Sequence, residues 1–495
     1  MSSPTTKQGW LELKNTLVYQ DKAWIDGKWH SAYGDETYEV TNPATGETIV
    51  KMAACQQQDV DLAVSAAKRT FESGTWSMSS PSHRKEVLKK LAALIRENQD
   101  ELALLESLNM GKPVADALNL DIPGSAACIE WYAEAIDKIY GDVAPTDANN
   151  VATITREPVG VVGAVVPWNF PLDIAVWKLA PALVTGNSVV LKPAEESPHT
   201  VLKLAELAKE AGLPDGVLNI ITGVGAVAGQ ALGLHHDVDS LVFTGSTATG
   251  KRFLKYSAES NMKQVWPETG GKSPNLIFAD CDLDKAVEGA VNGIFFNQGE
   301  VCSANSRILV DNKIRAKFVE AFVEAAEKLV IGDPLDPETQ VGAIIDQAQV
   351  ERILAAIETA KQQGAKLVLG GNADLSKRFL HPTIFDQVTP SMDVAKEEIF
   401  GPVASIIGFD SEEEAIDIAN NSIYGLAASV WSNDISRVYR VSKRLRAGTV
   451  SVNTVDALDF TTPFGGYKQS GFGRDLSLYA LDKFTQLKTT WIKLS

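Results

Sequence analysis

Val159-Gly160-Val161-Val162-Gly163-Ala164-Val165-Val166 is a short run dominated by β-branched residues. Four more follow it: Ser188-Val189-Val190-Leu191, Val217-Leu218-Asn219-Ile220-Ile221, Ser240-Leu241-Val242-Phe243 and Asn275-Leu276-Ile277-Phe278. Helical stretches such as His199 to Ala211 lie between them. Apolar runs separated by amphipathic helices read as βαβ units, in which helical crossovers join parallel strands. A second alternating series covers about 284 to 455. It contains Ile308-Leu309-Val310, helices at Ile314 to Leu329 and Gln347 to Gln363, Lys366-Leu367-Val368-Leu369, and a run from Val403 to Phe409. Upstream, Val87, Leu88, Leu91, Leu94, Ile95, Leu102, Leu105 and Leu108 recur at helical spacing. That pattern predicts helix from Ser82 to Met110, with a break near Asn98 and an end at Gly111-Lys112-Pro113. The expected fold is α/β, with two parallel-sheet domains meeting near residue 266. No serine-rich or proline-rich linker separates them, so they should pack closely.

Two further segments, about 140 to 158 and 480 to 495, have the β-branched content of edge strands. They contain Ala152-Thr153-Ile154-Thr155-Arg156 and Lys488-Thr489-Thr490-Trp491-Ile492. Ordinary surface hairpins would look the same, but an exposed strand edge needs cover, which favours pairing.

A chain of 495 residues is expected to divide into domains. Lysine and arginine total 46 against 63 acids, a formal net charge of −17. Nucleic acid and anionic membranes both need clustered positive charge, so neither is an expected partner. Cys55, Cys128, Cys281 and Cys302 show no CxxC spacing and no histidine-rich company, so neither a metal site nor a disulfide framework is expected. The first residues lack the apolar core of a secretory signal, and no apolar run approaches the roughly 20 residues of a membrane helix. The expected location is the cytoplasm.

One cysteine stands out, in Phe295-Phe296-Asn297-Gln298-Gly299-Glu300-Val301-Cys302-Ser303. Upstream lies an acid among glycines, Glu268-Thr269-Gly270-Gly271-Lys272. A thiol and a carboxylate that can move a proton suffice for covalent catalysis on a carbonyl carbon. A lone cysteine is more often a small buried hydrophobe, so the flanks decide. Gln298-Gly299-Glu300-x-Cys302 and Glu268-x-Gly270-Gly271-Lys272-Ser273 resemble the two active-site signatures of the aldehyde dehydrogenase superfamily. Pro167-Trp168-Asn169-Phe170-Pro171, Lys192-Pro193-Ala194-Glu195, Phe243-Thr244-Gly245-Ser246, Glu397-Glu398-Ile399-Phe400-Gly401-Pro402 and Pro463-Phe464-Gly465-Gly466-Tyr467-Lys468 extend the match in order. The resemblance runs from about residue 20 to the C-terminus.

That resemblance implies an NAD-binding domain (1-139 and 159-266), a catalytic domain (267-479) and oligomerisation strands (140-158 and 480-495) that pair subunits into dimers or dimers of dimers. It implies cofactor contacts from Val166, Pro167, Trp168, Lys192, Glu195, Gly225, Gly229, Phe243, Gly245, Ser246, Glu268, Gly270, Gln349, Glu398 and Phe400. Gly223-Val224-Gly225-x-x-x-Gly229 is one residue longer than the usual dinucleotide fingerprint, a spacing that suits this family. Gly245-Ser246 would meet the pyrophosphate at a helix N-terminus. A carboxylate at Glu195 accepts hydrogen bonds from ribose hydroxyls and repels a 2′-phosphate, so NAD is favoured over NADP without excluding it.

The resemblance also implies Cys302 as nucleophile, Asn169 and the Cys302 backbone N–H as oxyanion donors, and Glu268 as the base that hydrolyses a thioester. Lys178 would tune that base. Asp475 stands where many relatives carry glutamate, which puts its relay role in question. Around the aldehyde channel the family pattern places Phe170, Ile174, Trp177, Val301, Ser303, Leu458 and Phe464. The stretch Val455 to Thr462 adds two acids near the mouth, of which Asp459 is expected to meet an amine on the substrate. This fits a similarity to the bacterial branch that oxidises γ-glutamyl-aminobutyraldehyde and other ω-amino aldehydes. Aromatic walls could equally grip an aryl ring, leaving aryl-acetaldehydes such as indole-3-acetaldehyde, or a broad range of aldehydes, as the alternative. A CoA-acylating relative typically lacks the Glu268 base, and a non-enzymatic one would be expected to lose the thiol.

Overall fold

The structure is a computed structural model that describes residues 3–374 and 378–495. A seven-stranded sheet has the order Gln264–Thr269, Ser240–Gly245, Val161–Val165, Ser188–Lys192, Leu218–Ile220, Ala23–Ile25, Lys28–His30. Its first five strands are parallel, and the last two add antiparallel. A second seven-stranded sheet has the order Lys366–Leu369, Thr383–Asp386, Val403–Phe409, Arg307–Asp311, Pro274–Ile277, Ala427–Trp431, Thr449–Val452. It is parallel except for Lys366–Leu369, which runs antiparallel to Thr383–Asp386.

The β-branched runs form strands because both faces of these sheets are covered. Ser188–Lys192 and Arg307–Asp311 are buried along their whole length, as strands between two helical layers must be. The strand Gln264–Thr269 runs through the expected boundary at 266 and still belongs to the first sheet. The chain passes from one sheet to the other at residues 270–273, immediately after Glu268.

Upstream, the long helical pattern resolves into Pro81–Glu97 and Gln99–Met110. Gly111, at a φ of 82°, ends the second helix. The termini of the pattern therefore sit within a residue of the sequence reading. Asp142–Ala144, Asn150–Pro158 and Thr485–Lys493 form a separate three-stranded antiparallel sheet. No helix among the described residues is long and apolar enough to cross a membrane.

Candidate active site

In the first sheet the chain order reverses between Val161–Val165 and Ser240–Gly245, which are neighbours although two other strands follow the first in sequence. Crossovers leave the sheet in opposite directions at such a point, and a crevice opens beyond the carboxyl ends of the strands. A cavity of about 340 Å³ lies there, lined by Pro167 and Trp168 after one strand and by Thr244, Gly245 and Ser246 after the other. Ser246 caps the helix Thr247–Glu259, its hydroxyl accepting from the Thr249 N–H at 3.2 Å. The second domain closes the cleft with Gln349, Glu398 and Phe400. Trp168 and Phe400 meet edge to face, 5.3 Å between centroids. Gln349 donates to the carbonyls of Ile399 (3.0 Å) and Phe400 (2.6 Å), fixing Phe400 at a φ of 57°.

Lys192, Glu195, Gly225 and Gly229 form an adjoining patch. Lys192 Nζ lies 3.3 Å from Glu195, and the Gly225 N–H donates to the same carboxylate at 3.4 Å. A Cβ on Gly229 would stand 3.6 Å from Lys192. The patch presents a carboxylate and a helix start at the carboxyl end of Ser188–Lys192, a donor and acceptor set suited to a ribose. Val166 is buried, with its N–H on the Lys192 carbonyl (3.1 Å), leaving only its backbone near the cleft. Phe243 is buried against Phe253, with its ring beneath Gly245 of the cleft lining, where a Cβ would fall 2.6 Å from it.

The Cys302 loop is built on strain held from outside. After the helix Leu283–Phe295, Asn297, Gln298 and Gly299 take φ values of 48°, 58° and 73°. The Gln298 side-chain carbonyl accepts from the Gly342 N–H, and the Glu300 carboxylate from the Ile345 N–H, both at 3.2 Å. Asn169 donates to the Glu300 carbonyl at 2.9 Å. Its amide carries a second N–H, which remains available beside Cys302 in the cleft lining. Burial raises the Cys302 pKa, and the carboxylates of Asp456, Glu398 and Glu268 raise it further. The resting group is a thiol.

The glycines of the acid motif are there for close approach. A Cβ on Gly270 would fall 1.9 Å from the Glu398 carboxylate, and one on Gly271 would fall 2.5 Å from the Cys302 carbonyl. The Gly271 N–H donates to Glu398 at 3.1 Å. Glu268 is buried; one oxygen accepts from the Gly466 N–H at 3.1 Å and the other has no protein partner. Burial, then the negative charge of Asp475, pushes its pKa up to about 8, against the pull of Lys178 and Lys483.

Asp475 is salt-bridged to both Lys178 and Lys483, all three buried. Lys483 escaped the sequence reading. A lysine eight residues after Asp475, in a helical segment that starts at Leu478, carries no local sign that it is buried on a carboxylate.

A second cavity, about 600 Å³, opens on the other side of the sulfur. Phe170, Ile174, Trp177, Val301, Ser303, Leu458 and Phe464 all line it, together with Glu268 and Asp475. Asp459 does not. It is exposed and accepts from the Thr461 N–H at 2.8 Å, bound into its own turn. The acid of that loop that reaches the wall is Asp456, at a φ of 44° and hydrogen-bonded by Ser303. Asp121 and Asp173 also reach this lining, and the sequence reading missed both. Ile174, Thr244, Thr269 and Cys302 belong to both cavities, so the thiol stands where the two meet.

Comparison with known proteins agrees with this arrangement. The aldehyde dehydrogenase family model matches residues 29–490. The chain is 51% identical over 486 residues to the NADP/NAD-dependent aldehyde dehydrogenase PuuC of Escherichia coli K12, covering 98% of each. A crystal structure of indole-3-acetaldehyde dehydrogenase with NAD+ superposes with a TM-score of 0.98 at 50% identity, covering 99% of this chain and 100% of that one. The γ-glutamyl-γ-aminobutyraldehyde dehydrogenase of Burkholderia cenocepacia gives 0.97 at 50%, with the same coverage. The chain therefore belongs to the aldehyde dehydrogenase family, NAD(P)-dependent oxidoreductases that act on aldehydes.

Proposed function

We propose that this enzyme converts an ω-amino or γ-glutamyl-amino aldehyde to its carboxylic acid through a thiohemiacetal and then a thioester on Cys302. The observation that carries the reading is the position of Cys302 at the junction of two cavities, with the Glu268 carboxyl in the lining of the larger. The first-sheet domain would hold the dinucleotide: Pro167, Trp168, Gly245, Ser246, Glu398 and Phe400 around the inner part, Lys192 and Glu195 at the ribose. The fit is supported by the bare backbone at Gly270, where any side chain would displace Glu398. Glu195 supports a preference for NAD over NADP.

The Cys302 sulfur bonds to the aldehyde carbon as its proton passes to the ionised Glu268 carboxylate and on to solvent, and negative charge develops on the carbonyl oxygen. The free Asn169 N–H and the Cys302 backbone N–H stabilise that charge. NAD, held by the cleft residues named above, would supply the acceptor for the hydride that leaves this carbon, which would then remain as a thioester. Glu268, when ionised, takes a proton from water; the oxygen adds to the thioester, the carbon–sulfur bond breaks, and the acid leaves with the thiol restored. Lys178, Lys483 and Asp475 set the charge around Glu268. Subunits would associate through Thr485–Lys493, whose exposed Leu487, Trp491 and Ile492 lie on the outer strand of the small sheet.

Glu268→Gln should stall after oxidation. Intact mass of the variant treated with NAD and aldehyde should then show one acyl increment, mapping to Cys302 and absent from Cys302→Ala. An increment elsewhere would overturn the nucleophile. The second reading, an aryl-acetaldehyde substrate, draws support from the wall of Phe170, Trp177, Phe296 and Phe464 and from the likeness to the indole-3-acetaldehyde enzyme. Comparing kcat/KM for 4-aminobutyraldehyde, 4-guanidinobutyraldehyde, indole-3-acetaldehyde and an alkanal decides between them.

A further inference from the structure

We infer that Asp173 is the counter-charge for a cationic substrate tail, a carboxylate on the channel wall that selects an ammonium or guanidinium group. The inference rests on the amino-aldehyde reading above and names the group that does the recognising.

The helix Pro171–Val184 starts directly after the Pro-Trp-Asn-Phe turn. Phe170, Asp173, Ile174 and Trp177 fall on one face of it, at the spacing of side-chain neighbours on a helix. All four line the channel that ends at Cys302. Three are what an apolar wall requires. An acid at the fourth is costly there unless something of opposite charge meets it. Gly124, across from it in the lining, leaves room: a Cβ there would already stand 3.7 Å from Asp173 Oδ1.

Five acids line this cavity, and pairing and place single out Asp173: Glu268 and Asp475 belong to the buried cluster with Lys178 and Lys483, and Asp456 is hydrogen-bonded by Ser303, the residue after Cys302. Asp121 lines the same cavity but is salt-bridged to Lys112, and the pair cancels. Lys112 Nζ also sits 4.1 Å from the centroid of the Phe170 ring. This wall therefore already holds one alkylammonium between a carboxylate and an aromatic face. Asp173 has no such partner among the described residues. It accepts from the Ser125 hydroxyl, at 3.3 Å, with the Trp177 side chain also nearby, and no ion pair involves it. Its place in the first helical turn favours the ionised form through the helix dipole, while Trp177 one turn on supplies a ring. Burial, then the charge of Asp121, lifts its pKa to about 7, with Lys112, Ser125 and Trp177 opposing. An incoming cation would draw it back to full ionisation.

The test is the ratio of kcat/KM for 4-guanidinobutyraldehyde to that for heptanal. In Asp173→Asn, and in Asp173→Leu, which suits an apolar wall, the ratio should fall on the order of 30-fold, the low end of what removing one partner of a buried charge pair costs. Asp173→Glu should retain most of it. If the wild type shows no preference for the cationic aldehyde, the amino-aldehyde reading fails and takes this one with it. If the preference exists and survives in Asp173→Asn and Asp173→Leu, or is lost equally in Asp173→Glu, this inference alone is wrong. On the wild type, n-butylguanidinium should compete with heptanal, and its failure to do so would exclude a cation subsite without any variant.

Discussion

Two neutral groups face the substrate at rest: a thiol kept protonated by burial and surrounding acids, and a carboxyl whose pKa lies near 8. The sign is simple. On the proposed mechanism Glu268 acts as a base only when ionised, so where hydrolysis limits turnover, kcat should climb with pH through about 8. Lys483→Met removes a positive charge that holds that pKa down and should move the rising limb to higher pH, with kcat at pH 7 falling several-fold. Lys483→Arg should restore it. A pH–rate profile checks both, and an unshifted limb would show that Lys483 only fills space. Cys302 and Glu268 were legible in the sequence because their neighbours are glycines set by contact: Gly271 backs onto Cys302, and Gly270 onto Glu398. Lys483 was not, since its role depends on a carboxylate reached through tertiary packing. Asp459 lies exposed, outside the lining, and the sequence could not separate it from Asp456 for a related reason. Two acids three residues apart in one loop look alike in a sequence, and only the left-handed backbone at Asp456 decides which reaches the wall.

Elements were easier to read than their pairings. The helices His199–Ala211 and Gln347–Gln362 and the strand Val403–Phe409 lie within a residue of their expected bounds, because apolar periodicity is a local signal. Thr383–Asp386 went unread, and Lys366–Leu369 joins the sheet against the common direction. Strand direction at an edge is decided by the connection, not by composition. The segment from Phe296 to Cys302 is legible as a motif but not as a shape. Its consecutive left-handed residues are held from both domains: the Asn297 amide donates to the Asn169 carbonyl at 3.1 Å, and the Gln298 side-chain carbonyl accepts from the Gly342 N–H. Gly299→Ala should cost about 1–3 kcal/mol for backbone strain, and its Cβ would lie 2.4 Å from the Gly401 carbonyl carbon. The expected outcome is a lower Tm with a larger proportional loss of kcat. A variant with normal activity would mean that the loop shape does not position the sulfur.

At the scale of the molecule, the carboxyl and the thiol come from different sheets: Glu268 from the edge strand Gln264–Thr269 of the first, Cys302 from a loop of the second. The small sheet stands apart, with Trp491 on its outer strand and 64% exposed. Trp491→Asp places a charge on that edge and should lower the assembly mass in light scattering; an unchanged mass would move the subunit contact elsewhere. The sulfur also acts as a partition. On the proposed reading one hollow takes the dinucleotide and the other the aldehyde, and the two share four residues at Cys302. Each departing species would then have its own doorway, so the acid need not wait for the spent carrier to clear its path.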